Sequence, residues 1–121
     1  MKAFEHKQLE DNIRYKFKWK TDRDYYATTT FSGTVAHELG HAVDFDTNQS
    51  LSRALSATEE LDELSVKISS YAATTQNVRV SKRSEAWAEN FAAYMEGGEK
   101  AKEVPEEIIK MIKDYFSKDR D

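Results

Sequence analysis

Arg14-Tyr15-Lys16-Phe17-Lys18-Trp19-Lys20 alternates strictly between cations and aromatics. Successive side chains of a strand point to opposite faces, so a period of two predicts a half-buried strand with its aromatic face inward. The basic outer face suits an edge strand guarded against aggregation, and such an edge can pair with an extended peptide. Residues 1–13 before it read as a polar lead-in, with His6 exposed among charges. Thr21-Asp22-Arg23-Asp24 breaks the alternation. Tyr25-Tyr26-Ala27-Thr28-Thr29-Thr30 then returns to β-prone residues, either as a second short strand or as an extended lead into a helix.

From there the spacing is helical. Ser32 is a plausible N-cap for a helix to about Phe45, with Val35, Leu39, Ala42 and Val43 as its apolar positions. Asp46-Thr47-Asn48-Gln49-Ser50 is a loop by composition. Ser56-Ala57-Thr58-Glu59 fits a capping box, and Leu61, Leu64, Ile68 and Tyr71 follow at helical spacing. A helix over about 57–70 is expected, its start open because residues 51–55 could already be helical. Residues 72–82 form a polar loop. Another helix covers about 83–96 and is stopped by Gly97-Gly98. Pro105 opens the last helix, which runs to about 117 with Glu106 and Glu107 in its first turn and a stripe of Ile108, Ile112 and Tyr115. The pattern predicts a mostly helical α+β fold: one domain over residues 1–121, with a short β-element and about four helices.

Composition narrows the chemistry. With 121 residues the chain can bury a modest core. The net charge of −4 argues against nucleic acid as the main partner, leaving residues 14–20 as the one basic-aromatic stretch that could stack on single strands. Cysteine is absent, which removes disulfides, thiolate nucleophiles and thiolate metal sites. No apolar h-region or run of ~20 apolar residues is present, so a soluble protein, cytoplasmic or virion-associated, is expected, with no membrane partner. Little sequence precedes the helical half, so the chain could be a piece of something longer.

The candidate chemistry lies in the first helix. His37-Glu38-Leu39-Gly40-His41 is an H-E-x-x-H sequence, which arises by chance in well under roughly 1% of chains this size. Residues four apart share a helix face, so both imidazoles can bind one zinc ion while Glu38 acts as general base on its water. A catalytic zinc usually has a third protein ligand. The metzincin continuation with a third histidine is absent, which leaves Asp44, Asp46, Asp62, Glu85 and Glu89. Glu85 and Glu89 stand out because they lie four apart on a helix rich in Ala, Trp and Phe, where a carboxylate is costly to bury without a metal or hydrogen bonds. One could ligate zinc while the other holds a histidine's second nitrogen. Asp44, three residues after His41, suits either such a supporting role or a solvated helix end.

His37-Glu38-Leu39-Gly40-His41-Ala42-Val43-Asp44, with Ser69-Ser70-Tyr71-Ala72 and Ser84-Glu85-Ala86-Trp87-Ala88-Glu89-Asn90-Phe91-Ala92-Ala93-Tyr94, resembles the gluzincin metallopeptidases, the group of the anthrax lethal factor catalytic domain. It also resembles the metallopeptidase-like domains of phage minor head (head-morphogenesis) proteins and of mobile elements. The likeness covers roughly residues 31–116. It implies a minimal zincin-like domain in which the His-bearing helix packs on the Glu-bearing one. Zinc would be held by His37, His41 and Glu85, with Glu38 as base, Glu89 in support, and Tyr71 stabilising the oxyanion. The loop between Tyr71 and Glu85 is longer than in the toxin, and the N-terminal β region is shorter than gluzincins usually have. The expected function is zinc-dependent peptide-bond hydrolysis, with a peptide or protein as substrate. The alternative is a phage-derived structural or head-assembly domain that keeps the zinc site with little or no catalysis. Intact Glu38 favours the enzyme, and the short N-terminal region favours the alternative.

Overall fold

The computed structural model describes residues 25–74 and 81–117. Among them the chain is mostly helical, with six α-helices and one 3₁₀ turn, and without a strand. The alternating stretch 14–20, His6 and the lead-in lie outside the described residues. Residues 25–30 run as a non-helical lead into the first helix rather than as a second strand.

Helix α1 spans Phe31–Asp46. Its N-cap is Thr30, two residues before the expected Ser32: Thr30 has extended backbone, and its hydroxyl accepts from Gly33 N at 2.9 Å. Ser32 instead lies in the first turn and donates to Glu96. The helix ends at Thr47, where Asn48 and Gln49 both take left-handed backbone. That corner opens α2, Ser50–Ala54, and α3 follows at Glu59–Val66. Thr58 caps α3 by accepting from Leu61 N at 3.1 Å, whereas Ser56 donates to Asp62, so the N-cap lies two residues further on and, with Leu61 at N3, the expected capping box does not form. The single helix expected over 57–70 is broken: α3 ends at Val66 and α4 runs Ser70–Thr74, into the segment expected to be loop. Helix α5 spans Ser84–Glu96 and is stopped by Gly97 in left-handed conformation. The 3₁₀ turn Glu99–Glu103 leads to α6, Glu106–Ser117.

The organising element is α5. Ala86, Trp87, Ala88, Glu89, Asn90, Phe91, Ala92 and Ala93 are all buried, so most of its circumference faces protein. Leu55, Leu61, Ile68, Ile108 and Ile112 from the surrounding elements complete the core with Trp87 and Phe91. Each fully buried large side chain contributes about 1.5–3 kcal/mol of hydrophobic stabilisation, enough to make α5 the centre of gravity of so small a core. Asn90 Nδ2 ties it to α3 and to its own first turn, donating to Ser65 O at 2.9 Å and Ala86 O at 2.8 Å.

Helix α1 packs along α5, but not through the residues its hydrophobicity suggests. Its buried face is Gly33, Thr34, His37, Gly40, Val43 and Asp44. Of the expected apolar set only Val43 is inside; Val35 and Leu39 are 43% and 47% exposed, and Ala42 is exposed too. The cause is close approach. A Cβ on Gly40 would lie 3.1 Å from Ala88 Cα and from Phe91 Cβ, and Trp87 Nε1 donates to Gly40 O at 2.9 Å. Small residues let the two helix backbones meet, and that contact turns both histidines toward α5. No helix among the described residues is long and apolar enough to cross a membrane.

Candidate metal centre

Three segments, the lead-in, α4 and α5, gather around the histidines of α1. The first turn of α5 brings Glu85, whose Oε1 lies 3.0 Å from His37 Nε2 and 2.9 Å from His41 Nε2. One turn further along α5, Glu89 Oε2 lies 2.8 Å from His37 Nδ1. Its other oxygen accepts from Ala27 N at 2.8 Å and from Ser69 Oγ at 2.7 Å. Glu89, only 1% exposed, therefore joins the lead-in, α1, the start of α4 and α5 at one carboxylate. Neither glutamate lies on a solvated face.

Burial alone would push both carboxyls up. For Glu85 the hydrogen bonds and charges of His37 and His41 outweigh burial and hold it well below the ordinary range. For Glu89 the donors are His37, Ser69 and Ala27, with the same result. An ionised Glu89 can only accept, so His37 Nδ1 carries the proton of that bond. In its neutral form the imidazole then turns a lone pair on Nε2 toward Glu85 Oε1, which is also an acceptor; in the charged form that lowers Glu85, Nε2 donates there instead. Two acceptors 3.0 Å apart need a proton or a metal ion between them.

The donor set fits an ion. The ligand atoms of His37, His41 and Glu85 all lie within 4.8 Å of one another. Metal–ligand bonds of about 2.0–2.1 Å in a tetrahedron give ligand–ligand edges of about 3.3 Å, a few tenths longer than the two nitrogen–oxygen separations here. On a four-coordinate ion, two imidazoles and one carboxylate would leave one position for a further ligand.

Tyr71 reaches the same site. Its ring lies 5.9 Å from that of His37, near the Glu85 carboxylate. Burial first, then the charge of Glu85, pushes its phenol far up, so it stays a neutral donor. The length of the loop to Glu85 does not matter to this placement, because α4 is held from the other side. Tyr71 N donates to Tyr25 O at 2.7 Å, and Ser69 Oγ accepts from Ala72 N at 3.1 Å while donating to Glu89. Tyr26 packs on Tyr71 with ring centroids 5.0 Å apart and completes the aromatic wall.

Glu38 is half-buried on the adjoining face of α1, next in sequence to His37. Asp44 is not at the histidines. It is fully buried at the α1–α2 corner, where its Oδ1 accepts from Ser52 N at 2.9 Å, while His41 Nδ1 faces Ser84 Oγ at 3.3 Å. Among the other acidic candidates, Asp62 pairs with Arg83, and Asp46 accepts from Tyr115 at 2.6 Å. Three contributors were given no role from the sequence: Ser69 and Ser84, single hydroxyls quoted only as part of the stretches around Tyr71 and Glu85, and the backbone N–H of Ala27. No protein-family model, curated protein or solved structure matches this chain.

Proposed function

We propose that this domain is a minimal zincin-like metallopeptidase that hydrolyses peptide bonds with a zinc-activated water. The observation that carries this reading is the convergence of both histidine Nε2 atoms on Glu85 Oε1, beside Glu38 and Tyr71. A bound zinc ion would lower the pKa of its water toward about 7 and polarise the scissile carbonyl. Glu38 takes the proton of the attacking water and passes it to the leaving amine. Tyr71, kept neutral by burial, donates its hydroxyl proton in a hydrogen bond to the oxyanion that develops on the carbonyl. Glu89 holds the His37 ring in the orientation and tautomer that presents Nε2. The substrate is a peptide or protein; nucleic acid has no role in this reading.

A second reading draws on the Glu89 junction. Because His37 and Glu89 knit four segments together, a metal there could serve mainly to hold the fold, as in a head-assembly domain of phage origin with little or no catalysis. One experiment separates the two. Zinc-loaded protein is incubated with a diverse peptide library, and products are read by mass spectrometry for the parent and for Glu38→Gln. Cleavage that needs both zinc and Glu38 supports the peptidase. Full zinc occupancy with no cleavage of any member overturns it in favour of the structural role.

A further inference from the structure

Ser84 and Glu85 are neighbours in the chain and meet the two nitrogens of the same imidazole. Glu85 Oε1 lies 2.9 Å from His41 Nε2, and Ser84 Oγ lies 3.3 Å from His41 Nδ1. Ser84 is 2% exposed and is the first residue of α5; its N–H donates to Ser81 O at 2.9 Å. The turn is anchored further back, since Arg83 forms an ion pair with Asp62 and Ser81 N donates to Gln49 Oε1 at 3.3 Å.

The two histidines are therefore held unequally. His37 has a buried anion at 2.8 Å on its second nitrogen, and its side chain is 5% exposed. His41 has a neutral hydroxyl at 3.3 Å, and its side chain is 17% exposed. Hydrogen bonds to ionised groups are shorter and roughly twice as strong as neutral ones, and they raise the basicity of the ligand more. We propose that Ser84 is the positioning residue for His41, fixing its Nδ1–H tautomer, and that the Ser84–His41 side is the labile arm through which a metal ion enters and leaves. The proposal rests on the metal-binding reading above but adds to it a residue and an order of release.

The test uses the whole chain and zinc itself. Zinc affinity and dissociation rate are measured by chelator competition for the parent and for His37→Ala, Ser84→Ala and Ser84→Asp. Ser117→Ala is the control, because it removes a hydroxyl that donates to Asp114 O at the C-terminal end of α6, away from the site. Ser84→Ala should release zinc faster and bind it more weakly, near the ~10-fold lower end of the range for partners of metal ligands. Ser84→Asp gives His41 the anion that His37 already has, at a helix first turn that favours negative charge, and should bind more tightly than the parent. In zinc-loaded protein, nitrogen-15 correlation should show the His41 Nδ1–H signal in the parent and its loss to solvent exchange in Ser84→Ala. The His37 Nδ1–H signal should persist in both.

A parent that binds no zinc, or a His37→Ala variant that binds it equally, overturns the metal reading together with the proposal. Normal zinc binding in the parent with unchanged affinity and an intact His41 signal in Ser84→Ala overturns the proposal alone. So does a Ser117→Ala variant that loses as much affinity as Ser84→Ala. Should Ser84→Ala not fold, Ser84→Asp decides, and affinity no greater than the parent's overturns it.

Discussion

Glu89 Oε2 and His37 Nδ1 lie 2.8 Å apart in the buried centre of the molecule, and this pair determines which ring nitrogen is left to face Glu85. It also makes Glu89 a structural residue as much as a chemical one, since the same carboxylate holds Ala27 and Ser69.

Replacing Glu85 and Glu89 by Gln should therefore have different signatures. Glu85→Gln removes a candidate ligand and should weaken zinc more than Glu89→Gln, while the metal-free chain also loses the charged bonds that Glu85 makes to His37 and His41. Glu89→Gln should weaken zinc by about 10–100-fold, as expected of a partner to a ligand histidine. Its amide can accept at only one of the two positions, so a donor opposes either the His37 N–H or the Ala27 and Ser69 donors, and the metal-free fold should lose about 1–3 kcal/mol. Chelator competition and denaturant melts read the two effects separately; the opposite order in zinc affinity would reverse the assignments.

Glu38→Gln should leave zinc content unchanged by elemental analysis and lower peptide hydrolysis by about 10²–10⁴-fold, the usual contribution of a general base. A loss of only a few-fold would remove Glu38 from that role.

Tyr71→Phe deletes one donor while keeping the ring against His37, Tyr25 and Tyr26. The expected outcome is a fall in kcat of up to about 10²–10³-fold with KM little changed, since the hydroxyl acts on charge that develops in the transition state. Zinc binding should persist.

Acid should unfold the metal-free chain partly through Glu89. Its carboxyl lies below the ordinary 4.5 when folded, because its donors outweigh burial. A depressed folded value means that this stability is fully present above about pH 4.5 and is lost as pH falls below it. Melts of the parent between pH 6 and 3 should show that decline, and Glu89→Gln should show a smaller one. Equal slopes would mean that Glu89 is not ionised in the fold.

Gly40→Ala tests the helix contact that turns the histidines inward. The added Cβ would meet Ala88 Cα and Phe91 Cβ at 3.1 Å, and neither a backbone atom nor a packed core ring can yield cheaply. Overpacking costs about 1–3 kcal/mol. Better helix propensity returns about 0.8–1 kcal/mol, so a net loss of up to about 2 kcal/mol is expected in denaturant melts. A more stable variant would mean that α1 and α5 do not approach this closely.

The sequence alone marks His37, Glu38 and His41, because an i, i+4 spacing on a helix is a local relationship. The same holds for Glu85 and Glu89 as a pair, and for the ends of α5 and α6, which Gly97 and Pro105 signal in the chain itself. Tertiary structure decided what local spacing does not contain. Val35 and Leu39 share the helical period expected of a core face, yet Gly40 and Thr34 face α5, because backbone approach selected small residues over greasy ones. Asp44 lies three residues from His41 but is spent on Ser52, while Ser84, 43 positions away, meets the ring. The helix expected over 57–70 breaks after Val66, and Ser69 and Tyr71 are held by Glu89 and Tyr25. Periodicity is a property of a segment by itself; which face turns inward, and which hydroxyl completes a buried nitrogen, depends on the shape and distance of a partner remote in the chain.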